Sequence, residues 1–189
     1  DTDPRWWRAN LANGEKRLTM LREAAGDAGM VAEDLGTVPA YMPGSLERLG
    51  IPGFRIPQFE REGDDRSYKD ARHYPVLSVA TLSTHDHPPI AAQWSTWHNL
   101  LAEGHDTAVA STEQRALLRW IGWNEHDVPM TFSHDLHLAL ARALLHSSSA
   151  LVVFQIADWF GWTDRVNVPG LAHESNSTWR LPHPIQTLA

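Results

Sequence analysis

The most constraining feature of this chain is an apolar run that stops abruptly in polar residues. Residues 76–82 (VLSVATL) lead into Ser83-Thr84-His85-Asp86-His87, and Pro88-Pro89 follows. A run this rich in aliphatic and β-branched side chains suits a strand buried on both faces. Proline fits the first turn of a helix, and Ile90, Trp94, Trp97 and Leu101 then fall on one helical side. The segment therefore reads as strand, polar tip, helix. The same pattern recurs at residues 30–32, which run into Glu33-Asp34, and at residues 150–156 (ALVVFQI), which run towards Asp158.

Around these runs the spacing predicts a helix over 15–28, with Leu18, Leu21, Ala25 and Ala28 on its apolar side and Gly29 as its stop. A short helix over 43–49 closes at Gly50, and residues 54–57 form a further strand. Residues 61–72 read as a charged loop without periodicity. Ser111 or Thr112 caps a helix with Leu117, Leu118 and Ile121 as its core face. Ser133 caps another, through Leu136, Leu140, Ala143 and Leu144 to His146. The tail from Gly161 is loop-rich. Strands alternating with helices predict an α/β fold with a parallel sheet. Chemistry at the C-terminal tips of apolar strands is the arrangement of a β/α barrel. A full barrel takes about 250 residues and eight strands, whereas four strands are counted here. The expected architecture is half of a TIM-type (β/α)8 barrel, with residues 1–189 as one partial domain. The segment DTDPRWWRAN places Trp6 and Trp7 where no preceding element covers them, as if the chain continued something.

Charge narrows the partners. The formal net charge is −7, and lysine and arginine are scattered. A nucleic-acid partner is not expected, because phosphate binding needs a basic face. No apolar run approaches the roughly 18 residues of a membrane span, and the first residues lack the basic-then-apolar layout of a signal peptide. With no cysteine there is neither a disulfide framework nor a thiolate metal site.

Glu33 and Asp86 are acids on separate strand tips. Two carboxylates facing a cleft, one protonated and one charged, are what glycoside chemistry uses; a pair of surface acids is the plainer alternative. His85-Asp86-His87 is a candidate metal site, since imidazole and carboxylate suit zinc, manganese or iron. Adjacent strand residues point to opposite faces, however, which sets His85 and Asp86 apart. Ser133-His134-Asp135 with His137 imitates a catalytic cluster, but Ser and Asp at a helix start are good capping residues. The nine tryptophans suit either sugar-stacking platforms or packing roles.

The strings VAEDLGTVP (31–39), LGIPGFRIPQFE (49–60), LSVATLSTHDHPP (77–89) and VNVPG followed by WRLP (166–170, 179–182) occur in this order. Together they resemble the second half of the amylomaltase family, 4-α-glucanotransferases within the α-amylase clan of β/α barrels. The resemblance spans residues 30–182 and is weakest over 102–150. It implies barrel strands five to eight, with the N-terminal half of the barrel upstream. It implies that Glu33, after the fifth strand, is the general acid/base and is buried there. It implies that Asp86, after the seventh, grips sugar hydroxyls and stabilises the transition state, that His85 binds the same sugar, and that Asn167 is a donor-sugar contact. The implied reaction is disproportionation of maltooligosaccharides or α-1,4-glucan by a retaining double displacement, without metal or other cofactor, in the cytoplasm. The family's nucleophile, an aspartate in an Arg-x-Asp-His type motif, has no counterpart in these residues. It is expected upstream, so this chain alone is expected not to turn over. A non-catalytic glucan-binding half-barrel and a metal-dependent hydrolase using His85, Asp86 and His87 are the alternatives.

Overall fold

A computed structural model describes residues 3–63 and 67–188. The elements in chain order are α1 (Pro4–Ala25), α2 (Met42–Leu49), β1 (Gly53–Arg55), β2 (Arg61–Glu62), β3 (Ser67–Tyr68), β4 (Ser78–Ala80), α3 (Ile90–Glu103), α4 (Thr107–Trp120), α5 (His134–Leu145), β5 (Leu151–Val152) and α6 (Ile156–Phe160).

β1, β4 and β5 form a parallel sheet in that order. Phe54 sits opposite Val79, and Val79 opposite Leu151. Ala32 joins on the far side of β1 through one parallel bridge to Gly53. The sheet order therefore follows the chain order, with α2 before β1 and α3, α4 and α5 between β4 and β5. Parallel neighbours require such long crossovers, so the fold is α/β.

The strands are shorter than the apolar runs suggest. β4 has a neighbour on each side, and Ser78, Val79, Ala80, Thr81 and Leu82 are all buried. Residues 30–32 make one bridge rather than a buried strand, and Val31 is 49% exposed. Residues 150–156 contribute only β5, because Ile156 opens α6 and carries Asp158 into a helix. Outer strands with a single neighbour have fewer partners to hold them extended.

Other boundaries also move. α1 begins at Pro4, where the Asp3 side chain accepts from Arg5 N–H, and it ends at Gly26 rather than Gly29. Gly26 takes φ 58°, a conformation that glycine adopts without steric cost. Leu21 faces outward, 57% exposed. α4 starts at Thr107, not at Ser111 or Thr112; Thr112 Oγ1 bonds back to Ala108 O at 2.7 Å inside the helix. The charged loop at 61–72 holds the antiparallel pair β2 and β3, with residues 64–66 outside the described set. Side chains from α4 hold that pair: Arg61 Nη2 and Tyr68 Oη both donate to Glu113 Oε2, at 2.6 and 3.0 Å, and the Arg61 guanidinium lies 4.0 Å over the Tyr68 ring.

The core lies between the sheet and α3–α5. Ile90, Trp94 and Trp97 of α3, Leu117 and Leu118 of α4, and Leu136, Leu140 and Leu144 of α5 close over Ala80 and Leu82. Each such side chain contributes roughly 1.5–3 kcal/mol on burial. The sheet is thereby backed firmly behind β4, the strand whose tip carries Asp86. No helix among the described residues is long and apolar enough to cross a membrane.

Candidate active site

The chain leaves β4 through Thr81 and Leu82 and turns sharply before α3. Thr84 organises the turn: its Oγ1 lies 2.7 Å from His87 Nδ1 and accepts from Asp86 N–H at 3.3 Å, while His87 N–H donates to Thr84 O at 3.0 Å. Because this is a turn and not a strand, His85 and Asp86 do not point apart. His85 Nε2 lies 3.4 Å from Asp86 Oδ1. The sequence-based separation of these two side chains is corrected accordingly.

Asn167 comes to the same place from the C-terminal tail, and its Nδ2 donates to Asp86 Oδ1 at 2.5 Å. Arg165 ties the two segments together, with Nη2 donating to Asp86 O at 2.8 Å and Nε to Asn167 O at 2.7 Å. The tail is not structureless. Asn176 closes it into a loop, its Oδ1 accepting from Val168 N–H at 3.0 Å and its Nδ2 donating to Leu171 O at 2.6 Å. Arg165 and Asn176 were not singled out from sequence; Arg165 stands two residues before Asn167, and no pattern marks either.

Glu33 follows Ala32, which bridges to β1 at the edge of the sheet away from β4. Burial lowers the pKa of His87 from the ordinary histidine value; the negative charges of Asp86 and Glu33 oppose that shift, and Arg165 and His85 reinforce it. Glu33 therefore lies within electrostatic reach of the Asp86 turn. Phe59 meets the His87 ring edge-on at 5.1 Å and is half exposed. Glu33 itself is exposed, contrary to the expected burial. Ala32 beside it bridges only to Gly53, and among the described residues no strand pairs with it on the other side.

Asp34, the next residue, turns inward where Glu33 is exposed. The Asp34 side chain is 4% exposed and lies 3.1 Å from Arg55 Nη1. Its Oδ1 accepts from Phe54 N–H at 2.6 Å. Asp34 and Phe59 line a cleft of about 550 Å³ that also contains Arg55, Gln58 and Glu60. Burial pushes the Glu60 carboxyl above its ordinary range, against the attraction of Arg55 and Lys69.

Three of the residues singled out from sequence thus meet at one turn, His85, Asp86 and Asn167 in contact, with Glu33 within electrostatic reach of it. Two carboxylates flanked by amide, guanidinium and aromatic groups can bind polyhydroxylated ligands and move protons. Among the described residues no group of three or more His, Asp or Glu side chains is arranged to hold a metal ion. His137, the last of the Ser133–His137 group, turns its Nε2 to Asp158 O at 2.8 Å, and Ser133 caps α5 by accepting from Leu136 N–H at 3.2 Å.

Comparison with known proteins gives one consistent result. A family model described as 4-alpha-glucanotransferase matches residues 3–186. A 4-alpha-glucanotransferase of Chlamydia pneumoniae is 43% identical over 166 residues, which are 84% of this chain and 29% of the relative. One from Chlamydia trachomatis serovar D is 28% identical over 183 residues, 95% of this chain and 33% of the relative. The solved structure of amylomaltase from Streptococcus agalactiae in complex with acarbose superposes with a TM-score of 0.63 at 21% identity, covering 89% of this chain and 30% of that one, a likeness of fold. The chain spans a third or less of the length of each of these proteins. With nearly its whole length matched, the chain belongs to the 4-alpha-glucanotransferase family.

Proposed function

We propose that this chain is strands five to eight of a (β/α)8 barrel, with the upstream half completing it, and that the whole protein disproportionates α-1,4-glucans. The observation that carries the proposal is the convergence of His85, Asp86 and Asn167 on one turn within electrostatic reach of Glu33, in a member of this family. Half-exposed Val31 at one edge of the sheet, and Leu151 and Val153 at the other, support a continuation of the sheet on both sides.

In the proposed mechanism Glu33 gives its proton to the leaving glycosidic oxygen while an upstream aspartate attacks the anomeric carbon. A covalent glycosyl-enzyme results. The acceptor hydroxyl then attacks that carbon, and Glu33 takes its proton. Asp86 stays charged. Asn167 occupies its Oδ1 and Oδ2 is offered to sugar hydroxyls, a hydrogen bond that strengthens as positive charge develops on the ring. His85 and Asn167 bind the same donor sugar, and packing of the upstream half covers Glu33. The reaction uses no metal or organic cofactor, its partners are maltooligosaccharides or α-1,4-glucan, and the protein works in the cytoplasm. This chain by itself lacks a nucleophile and does not turn over.

Maltotriose conversion by the protein with its upstream half present tests this. Glucose and longer maltodextrins are expected, and Glu33→Gln lowers the rate by about 100-fold or more. A folded protein that leaves maltotriose unredistributed but still binds glucan would be a glucan-binding module instead.

A further inference from the structure

Asp158 is fully buried, yet the mechanism above does not use it. It sits in α6, beyond β5, and its carboxylate reaches back across the chain to β4. One oxygen accepts from Ser83 Oγ, and the other accepts from Ile90 N–H at 2.7 Å. Ser83 is the last buried residue but one before Asp86, and Ile90 is the first residue of α3. The two contacts therefore close the mouth of the loop that carries His85, Asp86 and His87.

Local sequence leaves this job undone. The residue before α3, at its N-cap, is Pro89, whose side chain makes no capping hydrogen bond. Its first N–H groups need an acceptor, and a negative charge at that end is favourable. Asp158 supplies both from 68 residues away. The bracket is itself held in place: Gln155 Nε2 donates to Ser83 Oγ at 2.8 Å, and His137 Nε2 lies 2.8 Å from Asp158 O. Keeping a carboxylate fully out of water is costly. Neutral donors on both oxygens offset that cost only while the loop ends stay where they are.

We infer that Asp158 is a positioning residue for Asp86, fixing both ends of its loop so that the Asp86 carboxylate meets the sugar in the transition-state geometry. The inference rests on the proposed role of Asp86, and the test separates the two. In the protein with its upstream half, kcat and KM for maltotriose are measured for Asp86→Asn, Asp158→Asn, Asp158→Ala and Ser83→Ala, with thermal midpoints alongside. A displacement of about 1 Å at a reacting group costs on the order of 100-fold in rate. Asp158→Ala is therefore expected to lose about 100-fold in kcat with KM changed less than about threefold. Asp158→Asn keeps an acceptor for Ile90 and is expected to recover roughly tenfold of that loss. Ser83→Ala removes one arm only and falls between parent and Asp158→Ala. If Asp158→Ala does not fold, the other two variants decide. Parental kcat in folded Asp158→Asn and Ser83→Ala, beside an inactive Asp86→Asn, would overturn the inference and leave the role of Asp86 standing. So would a loss confined to KM. An active Asp86→Asn would remove the role of Asp86 itself.

Discussion

Gly53 shows how one residue governs the strand that bears Glu33. A Cβ built on Gly53 would run into the carboxylate of Asp34, which is pinned to Phe54 N–H and Arg55. Glycine there is a matter of close approach rather than backbone freedom, since Ala32 also bridges to this residue. Gly53→Ala must push a buried, hydrogen-bonded carboxylate aside. It is expected to destabilise the chain by about 1–3 kcal/mol, read as a lower urea midpoint; an unchanged midpoint would mean that Asp34 relocates freely. At this scale the strings AEDLG and THD single out acids, Glu33 and Asp86, whose charges both reach His87. They did not separate the outward Glu33 from the inward Asp34, because that division depends on which strand lies alongside.

Among the elements, α5 is the one whose sequence and structure agree throughout. Ser133 accepts from Leu136 N–H, and Leu136, Leu140 and Leu144 are fully buried on one face. Every local signal points the same way, from cap to stripe. Ser133→Ala leaves the first-turn donors to water and is expected to cost about 1 kcal/mol, measurable as a drop in thermal midpoint with unchanged helical content at low temperature. α1 and α4 were placed less well from sequence. Their N-cap residues are Asp3, whose side chain caps, and Asp106, which makes no side-chain cap and is left-handed (φ 45°) after Gly104 ends α3. Asp3 followed by Pro4 is a start signal that local sequence does carry, whereas the left-handed turn at Asp106 leaves no mark in the neighbouring residues. β2 and β3 were missed altogether, since a two-residue pair has no periodicity to read and is held by Glu113 of a distant helix.

At the scale of the molecule, the stability of this chain is expected to depend on pH through His87. Burial depresses its folded pKa below the ordinary 6.5, so the folded chain binds fewer protons than the unfolded one in that range. The stabilisation is complete above about 6.5 and is lost as pH falls through the depressed value. The thermal midpoint should therefore decline below pH 6.5, and His87→Gln should flatten the slope; a slope unaltered by the substitution would place the titration elsewhere. Asp86, Glu33, His85 and Arg165 face His87 and share in this balance. The sequence by itself determined the α/β alternation, the buried strand at 78–80, the helix after Pro88-Pro89 and the neighbourhoods of Glu33 and Asp86. Hydrophobic period and capping chemistry are local, and they are written in neighbouring residues. Only the tertiary structure decided that Arg165 and Asn167 clasp Asp86, that Asp158 brackets its loop, and that Asp34 faces inward. Those contacts join residues 20 to 81 positions apart, and such pairs exist only once the strands have taken their order in the sheet.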